Sequence, residues 1–473
     1  MINNLKKLFG IDLRVLAVFR IGLALLIILD LILRYCHLEE LYTDRGLLNR
    51  QDAIRYLSSS LYFSFHLFNG TFEFQFLLFL ISGFFAALLL VGYKTKLATI
   101  ISWILMTSLH LRNLLLLDGG DYILRLSLMW CMFLPTGEHY SYDSNLKTNT
   151  SNSPQKICSI ASAGLLIQIA IMYLFTAIAK FRNEEWTNGY GIYLSLNEIQ
   201  YATPIGLYLT HLPDYILKVL SRSVVYFEFI GTILLFSYLP ILRLITIICF
   251  IFMHILFFLC LDIGIFPLIC IICLIPFLHG EILDKILDKL KFVNMERGSE
   301  YLYSGKSNNL FSLVMLVYII FSNVDALYMK KYIPQNLNWF GEILHINQSW
   351  YMFATPGTKG EWYNLWYVIP ARLKDGTEVD LFKDGNPVTF EKPIIASYYF
   401  KDRHLKKFLI AIGKSYWGYI PAYSNYLCYK WNKTHKTEKQ AEYLDIYLMH
   451  EALLPNKQST DINKRFYWRQ YCE

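Results

Sequence analysis

The protein has 473 residues, of which 55% are hydrophobic, 16% aromatic and 17% charged, and its formal net charge is +7. Soluble proteins of this length carry more charge and less apolar surface, so the composition excludes an ordinary soluble enzyme and indicates a membrane protein. Part of the positive excess lies between hydrophobic segments, where lysine and arginine orient membrane proteins, so it does not indicate a nucleic-acid partner.

Apolar runs near the length that crosses a bilayer, about 20 residues, predict eight or nine transmembrane helices. The block at 244–278 is too long for one helix. Within it, the motif LDIGIFP (Leu261 to Pro267) supplies a polar residue, a glycine and a proline, and predicts a break. The predicted spans lie at 13–33, 73–92, 97–117, 122–136, 157–180, 223–240, 244–261, 263–279 and 309–329.

The distribution of basic residues predicts the orientation of these spans. In a nine-span arrangement, Lys6, Lys7, Lys94, Lys96 and Arg243 fall on the side of the N-terminus. Cytoplasmic loops are typically enriched in lysine and arginine. We therefore expect a multi-pass protein of the cytoplasmic (inner) membrane, with the N-terminus in the cytoplasm and the residues after 330 outside.

The composition becomes more polar from about Tyr332 onward. The stretch LKDGTEVDLFKDGNPVTF has two Asp-Gly turn signals between strand-like runs, which predicts a small β-rich domain. The predicted fold class is an all-α polytopic membrane protein with a small β-containing extracytoplasmic C-terminal domain. The predicted division is a transmembrane domain at 1–330, the β-rich domain at 331–400 and a helical, basic segment at 401–473.

The nine cysteines do not form a zinc-binding pattern. Cys270 and Cys273 form a C-x-x-C inside an apolar run with no second pair nearby, which indicates a structural role. Cys428 and Cys472 lie in the polar C-terminal part. If that part is outside the cytoplasm, these two residues can form a disulfide, and the sequence leaves the bridged and reduced states both open.

Ionisable side chains in apolar spans are costly to bury and are therefore candidates for function. With the orientation above, several of them approach the outer end of their spans and can line one outward-facing cavity around Lys180. Each can instead serve helix packing, and their spacing does not predict a metal site. The candidate supporting residues are His110, Arg112, Asn113, Asp121, Trp186, Glu228, His254 and Asp262.

Lys180 is the strongest of these candidates because it closes the fifth apolar run. Apolar surroundings disfavour the charged ammonium, so a neutral amine that accepts a proton becomes accessible. Trp186, followed by Gly189 and Gly191, can fold the chain back and shield this amine. The alternative is that Lys180 only anchors the helix at the water line, a role that Arg182 fills equally well.

Several motifs together resemble the bacterial HTTM proteins, a family similar to vitamin K-dependent gamma-carboxylases. The resemblance extends over about residues 12–380. The motifs are DLRVLAVFRIGLALLIILD (Asp12 to Asp30), LYTDRGLL (Leu41 to Leu48), LHLRNLLLLDGGDYILRL (Leu109 to Leu126), YLFTAIAKFRNEEWTNGYG (Tyr173 to Gly191) and QSWYMFATP (Gln348 to Pro356).

This resemblance implies a catalytic role for Lys180, which falls on the lysine that deprotonates vitamin K hydroquinone in the carboxylases. It further implies reduced vitamin K or menaquinol as the cofactor, O2 and CO2 as co-substrates, and no metal. The implied reaction oxygenates the quinol to its epoxide and couples this step to carboxylation of glutamate. Such chemistry requires a dry pocket that a lipophilic quinol enters from the bilayer.

Two hypotheses for function follow. The first is a vitamin K-dependent gamma-carboxylase-like integral membrane enzyme, a lyase acting on a peptide or small substrate. The second is a non-enzymatic membrane factor for the maturation, export or immunity of a secreted peptide. The expected partners are the lipid bilayer, a lipophilic quinol in the first case, and a secreted peptide or protein.

Overall fold

The computed structural model describes residues 2–55, 57, 61–146, 155–289, 301–302, 304–354, 362–395, 400, 402–455 and 458–472. The last two residues of the QSWYMFATP motif, 355 and 356, lie outside these ranges. The protein is predominantly helical. Its α-helices are α1 (Ile2–Phe9), α2 (Leu13–Tyr35), α3 (Leu38–Tyr42), α4 (Arg50–Arg55), α5 (Phe72–Val91), α6 (Thr95–Arg112), α7 (Gly119–Cys131), α8 (Tyr142–Asn145), α9 (Ile160–Phe181), α10 (Glu184–Thr187), α11 (Gly191–Asn197), α12 (Pro204–Leu209), α13 (Asp214–Leu234), α14 (Pro240–Cys260), α15 (Phe266–Leu274), α16 (Gly280–Lys289), α17 (Lys306–Tyr328), α18 (Asn338–Leu344), α19 (Arg403–Lys414) and α20 (Ile420–Thr434).

Within the described ranges, five helices are long and apolar enough to cross a membrane: α2, α5, α9, α14 and α17. The chain is therefore a multi-pass membrane protein. The other predicted spans correspond to helices that are either more polar (α6 and α13) or shorter (α7 and α15). The predicted count of eight or nine spans and the predicted orientation stay predictions.

Local sequence signals explain where the helices near the centre of the molecule begin and end. Asp118 caps α7 by accepting hydrogen bonds from the backbone of Gly120 and Asp121. The predicted break after α14 is confirmed, because α14 ends at Cys260 and α15 begins at Phe266. Gly264 lies between them in the left-handed region with φ +69°.

The C-terminal region is built around one long strand. Its centre, β7 (Ala441–Leu454), pairs antiparallel with β4 (Tyr363–Val368) and β5 (Pro370–Leu373) along one side and with β9 (Asn463–Tyr471) along the other. The remaining strands are β1 (Ile11–Asp12), β2 (Lys156–Ile157), β3 (Tyr301–Leu302), β6 (Glu378–Asp380) and β8 (Gln458–Ser459).

This sheet corrects the helical prediction for 401–473. Helices occupy Arg403–Lys414 and Ile420–Thr434, as predicted, but Ala441–Leu454 and Asn463–Tyr471 are strands. The physical reason is long-range pairing: β7 bonds to β4, about eighty residues earlier, for example through Leu365 and His450. Tertiary pairing of this kind overrides a local helical preference.

The edge strand β9 is joined covalently to the helix beside it. Cys428 in α20 and Cys472, directly after β9, form a disulfide with a Cα–Cα distance of 5.3 Å. The other seven cysteines are free, and Cys270 and Cys273 are buried in α15. The disulfide therefore fastens β9 and α20 together.

Helix α19 packs on the membrane helices through charged side chains. Arg403 Nη2 lies 3.2 Å from Asp30 Oδ1 in α2, and Lys407 Nζ lies 2.5 Å from Asp118 Oδ2 at the start of α7. Arg34 also contacts Asp30 and, across helices, Asp121. We refer to Asp30, Arg34, Asp118, Asp121, Arg403 and Lys407 as the buried charge cluster.

Replacing Arg34 with methionine is expected to lower the free energy of unfolding by about 3 kcal/mol or more, because Asp30 and Asp121 lose a buried cation. Thermal unfolding in detergent measures this effect. Arg55→Met is the matched control, since the Arg55 side chain is 71% exposed. Equal melting temperatures for the two variants would contradict the assigned role of the cluster.

Candidate active site

Lys180 and Glu228 form a buried ion pair between two helices. Lys180 lies in the last turn of α9, and its Nζ donates to both carboxylate oxygens of Glu228 in α13, at 2.7 and 2.9 Å. Both side chains are only 4% exposed. Lys180 is therefore turned inward, whereas Arg182 donates to the carbonyl of Leu327 and takes the anchoring role at the end of the helix.

Trp186 covers the amine. Lys180 Nζ lies 4.5 Å from the centre of the indole ring, and the indole Nε1 donates to the carbonyl of Phe353 at 2.8 Å. Asn183 caps α10 by accepting from the Trp186 backbone. A Cβ atom at Gly191 would lie 2.2 Å from the indole, so glycine at this position is what lets the ring pack here.

A second polar pair lies beside the ion pair. Tyr173 is two helical turns before Lys180 on α9, and its hydroxyl lies 2.7 Å from Nε2 of His254 in α14. Nδ1 of His254 is buried and has no hydrogen-bond partner among the described residues. When the phenol donates to Nε2, Nδ1 carries the ring proton and is available as a donor.

These groups line a cavity of about 730 Å³ with mostly apolar walls, and Lys180, Trp186, Glu228 and His254 all border it. Three further wall residues, Leu220 of α13 and Phe252 and Leu256 of α14, are 42%, 60% and 40% exposed on the outside of their helices. In a bilayer these side chains contact acyl chains. Exposed side chains of α13 and α14 therefore form part of the cavity wall, and the volume of the cavity is that of a small-molecule site.

Glu198, which sequence analysis missed, also borders this cavity. Burial raises the pKa of its carboxyl to about 7, although the charge of Lys414 and a backbone hydrogen bond from Tyr363 oppose this shift. A carboxyl with this pKa exchanges protons near neutral pH. Glu198 follows α11 and is outside the apolar runs, so the search for charges within spans could not find it.

The predicted site residues lie in different parts of the structure, and only some of them border the cavity. Lys180, Trp186, Glu228 and His254 border the one cavity. Asp121 belongs to the buried charge cluster, and His110 Nε2 lies 3.6 Å from Oδ1 of Asp121.

The other three candidates make structural contacts. Arg112 donates to the carbonyls of Thr43 and Leu48, at 3.1 and 2.8 Å. Asn113 accepts from the backbone of Leu115. Asp262 pairs with Lys406 of α19. These contacts hold loops and the C-terminal region against the membrane helices.

One group of potential metal ligands lies apart from the cavity. Ligand atoms of Asp30, His110 and Asp121 lie within 4.8 Å of one another. Both carboxylates already contact cations, with Arg34 bridging them and Arg403 contacting Asp30. These cations compensate the acidic charge without a metal ion. The expected absence of a metal site stays a prediction.

The HTTM domain matches residues 10–281 of this chain, more than half of its length. The chain belongs to the HTTM family. This family is associated with vitamin K-dependent carboxylase and related membrane proteins. The match includes Lys180, Glu228 and His254, so the residues of the polar pairs lie within the family region. No curated protein and no solved structure matches the chain.

The raised pKa of Glu198 predicts a pH dependence of stability. The folded protein favours the neutral carboxyl, so the free energy of unfolding falls as pH rises from about 4.5 to about 7 and changes little from this group above that range. Glu198→Gln removes this loss and is expected to stabilise the protein at pH 8 by on the order of 2–3 kcal/mol, with little effect at pH 4.5.

Melting temperatures of both proteins across this pH range measure the effect. Glu184→Gln, at the start of α10, controls for the removal of one carboxylate. A constant difference between Glu198→Gln and the parent protein at all pH values would contradict the assignment.

Proposed function

We propose that this HTTM protein is a membrane enzyme that transfers protons to and from a lipophilic quinol, in the manner of the vitamin K-dependent gamma-carboxylases. The single observation that supports the proposal most is the Lys180–Glu228 pair at the wall of a mostly apolar cavity, whose wall also includes exposed side chains of α13 and α14. Epoxidation of the quinol and carboxylation of glutamate in a peptide or small substrate are the finer parts of this proposal.

The residues around the cavity fit a reduced quinone such as vitamin K hydroquinone or menaquinol. The apolar walls suit its rings and tail, and entry between the exposed side chains of α13 and α14 would give it a route from the membrane. Lys180 and His254 would hold its hydroxyl groups, since His254 Nδ1 has no protein partner in the described part of the chain. When bound, such a quinol supplies, with O2, the oxidative driving force for carboxylation by CO2.

The ion pair gives the protein a base without burying an unpaired charge. Proton transfer from Lys180 Nζ to Glu228 leaves a neutral amine and a neutral acid, so the net charge of the pair stays zero. The neutral amine can then accept a proton from a hydroxyl in the cavity. Trp186 shields this exchange from water, and Glu198 can take up or release protons at another part of the wall.

The experiment supplies reduced vitamin K, or menaquinol, to protein reconstituted in liposomes and measures epoxide formation. Lys180→Met and Lys180→Met/Glu228→Gln are expected to lose at least about 100-fold in rate, as removal of a general base does. The double variant keeps the cavity neutral and separates loss of the base from misfolding. Lys218→Met, which removes a lysine that contacts the Tyr190 ring instead, should retain activity.

Turnover by the double variant at the parent rate would overturn the role of Lys180. Turnover that is lost equally in the Lys218→Met control would show that the effect is not specific to the ion pair.

A second candidate function is the binding of a secreted peptide without chemistry. It is favoured by a groove of about 670 Å³ between α10 and the C-terminal sheet, with Trp362, Trp417, His450 and Tyr467 among its lining residues. Aromatic side chains of this kind supply contact area for a peptide. On this reading, the Lys180→Met/Glu228→Gln variant would retain full biological function.

We also propose that the protein lies in the cytoplasmic membrane with the N-terminus in the cytoplasm and the C-terminal sheet outside. The basic residues that support this orientation include Lys94, in the turn between α5 and α6, and Lys96, in the first turn of α6. In this orientation the amine of Lys180 and the groove face the same side of the membrane.

A further inference from the structure

Arg125 is a buried cation that forms no salt bridge with a carboxylate of the described residues. It lies in the second turn of α7 and is 4% exposed. One Nη atom lies 3.4 Å from His110 Nδ1, and the guanidinium carbon lies over the ring of Tyr122, 5.1 Å from its centre. Its Nε has no hydrogen-bond partner, and no carboxylate in the described ranges lies within ion-pair distance.

Most other buried arginines in the membrane region donate to oxygen atoms. Arg20 donates to the carbonyl of Thr136 at 2.9 Å, Arg112 to two carbonyls, and Arg34 to Asp30 and Asp121. Buried guanidinium groups normally meet such acceptors because an unmatched charge is expensive to desolvate. Arg125 therefore has unused capacity to bind an anion.

A second cavity, of about 730 Å³, gives an anion access to this guanidinium. It is distinct from the Lys180 cavity, although Asp118, Tyr201 and Ile263 border both. Its walls include α19 and the segment after α18, and most are aromatic or aliphatic. Tyr62, Leu114, Tyr122, Ile410 and Tyr416 are among the lining residues.

The charges around this cavity leave a surplus of one cation. Asp262 pairs with Lys406, Asp118 with Lys407, and Asp30 and Asp121 with Arg34 and Arg403. Among the described residues around the cavity, these four carboxylates balance four cations, and Arg125 is the fifth cation. A ligand with a single negative charge would complete the balance.

His345 adds a neutral hydrogen-bonding group to the same cavity. Burial, assisted by the charge of Arg125, lowers the pKa of its imidazole to about 3. The residue has φ of +51° and its ring lies 5.1 Å from that of Tyr62. This backbone conformation is that of a left-handed helix C-cap, and His345 ends α18.

We propose that this cavity binds an organic monocarboxylate with an apolar body, and that Arg125 receives its carboxylate. The planar guanidinium matches a carboxylate in shape and charge, and the tyrosine and leucine walls match the apolar remainder. The proposal does not depend on quinol chemistry at Lys180.

The first test uses the unmodified protein in detergent micelles at pH 7. Isothermal titration compares 4-phenylbutyrate with 4-phenylbutanamide, which has the same shape and no charge. The carboxylate is expected to bind at least tenfold more tightly than the amide. Equal affinities would overturn the proposal, as would tighter binding of inorganic phosphate than of the carboxylate.

Variants locate the site. Arg125→Met is expected to weaken 4-phenylbutyrate binding at least tenfold. Arg243→Met is the matched control, because Arg243 is also buried, contacts the Phe277 ring, and lies outside the cavity. Ala411→Phe fills the cavity from α19 without changing any charge and should also weaken binding, which keeps the test decisive if Arg125→Met does not fold. Unchanged binding in Ala411→Phe would overturn the location.

Discussion

Compensation of buried charge is the constraint on which this structure depends. An ion among apolar helices costs several kcal/mol unless an opposite charge lies beside it. The pair Lys180–Glu228 joins α9 to α13, and Asp30, Arg34 and Asp121 join α2 to α7. The Lys180–Glu228 contact therefore both holds two helices together and supplies the polar groups of the candidate active site. A substitution that removes one of these charges is expected to affect both the helix packing and the site.

The C-terminal region completes the membrane part instead of standing apart from it. Helix α19 brings Arg403 and Lys407 to acids of the HTTM region. Strand β4 reaches the same region, because the side chain of Asn364 accepts from the backbone of Ile199 and the carbonyl of Tyr363 accepts from Gln200. These bonds hold the two residues that directly follow Glu198, so the sheet helps to hold one wall of the candidate active site.

Sequence reasoning could predict features that depend on local composition. The apolar runs, the break at Gly264 and the candidate residues Lys180, Trp186, Glu228 and His254 follow from hydropathy, turn chemistry or family motifs. Features set by distant pairing could not be predicted in this way. Strand β7 pairs with β4 and β9, and β4 contacts the residues that follow Glu198. Asp121 belongs to the buried charge cluster, which α19 completes, and His110 lies beside Asp121.

The contact between Lys180 and Glu228 inside a lipid-facing cavity can be tested most directly with carbodiimides. A carbodiimide activates a carboxyl group, and an amine in contact with it then forms an amide bond. In membranes treated with dicyclohexylcarbodiimide, which partitions into lipid, peptide mass spectrometry should find a Lys180–Glu228 cross-link, whereas a water-soluble carbodiimide should give little. Absence of the cross-link with the lipophilic reagent, or equal yield with the water-soluble one, would contradict the account.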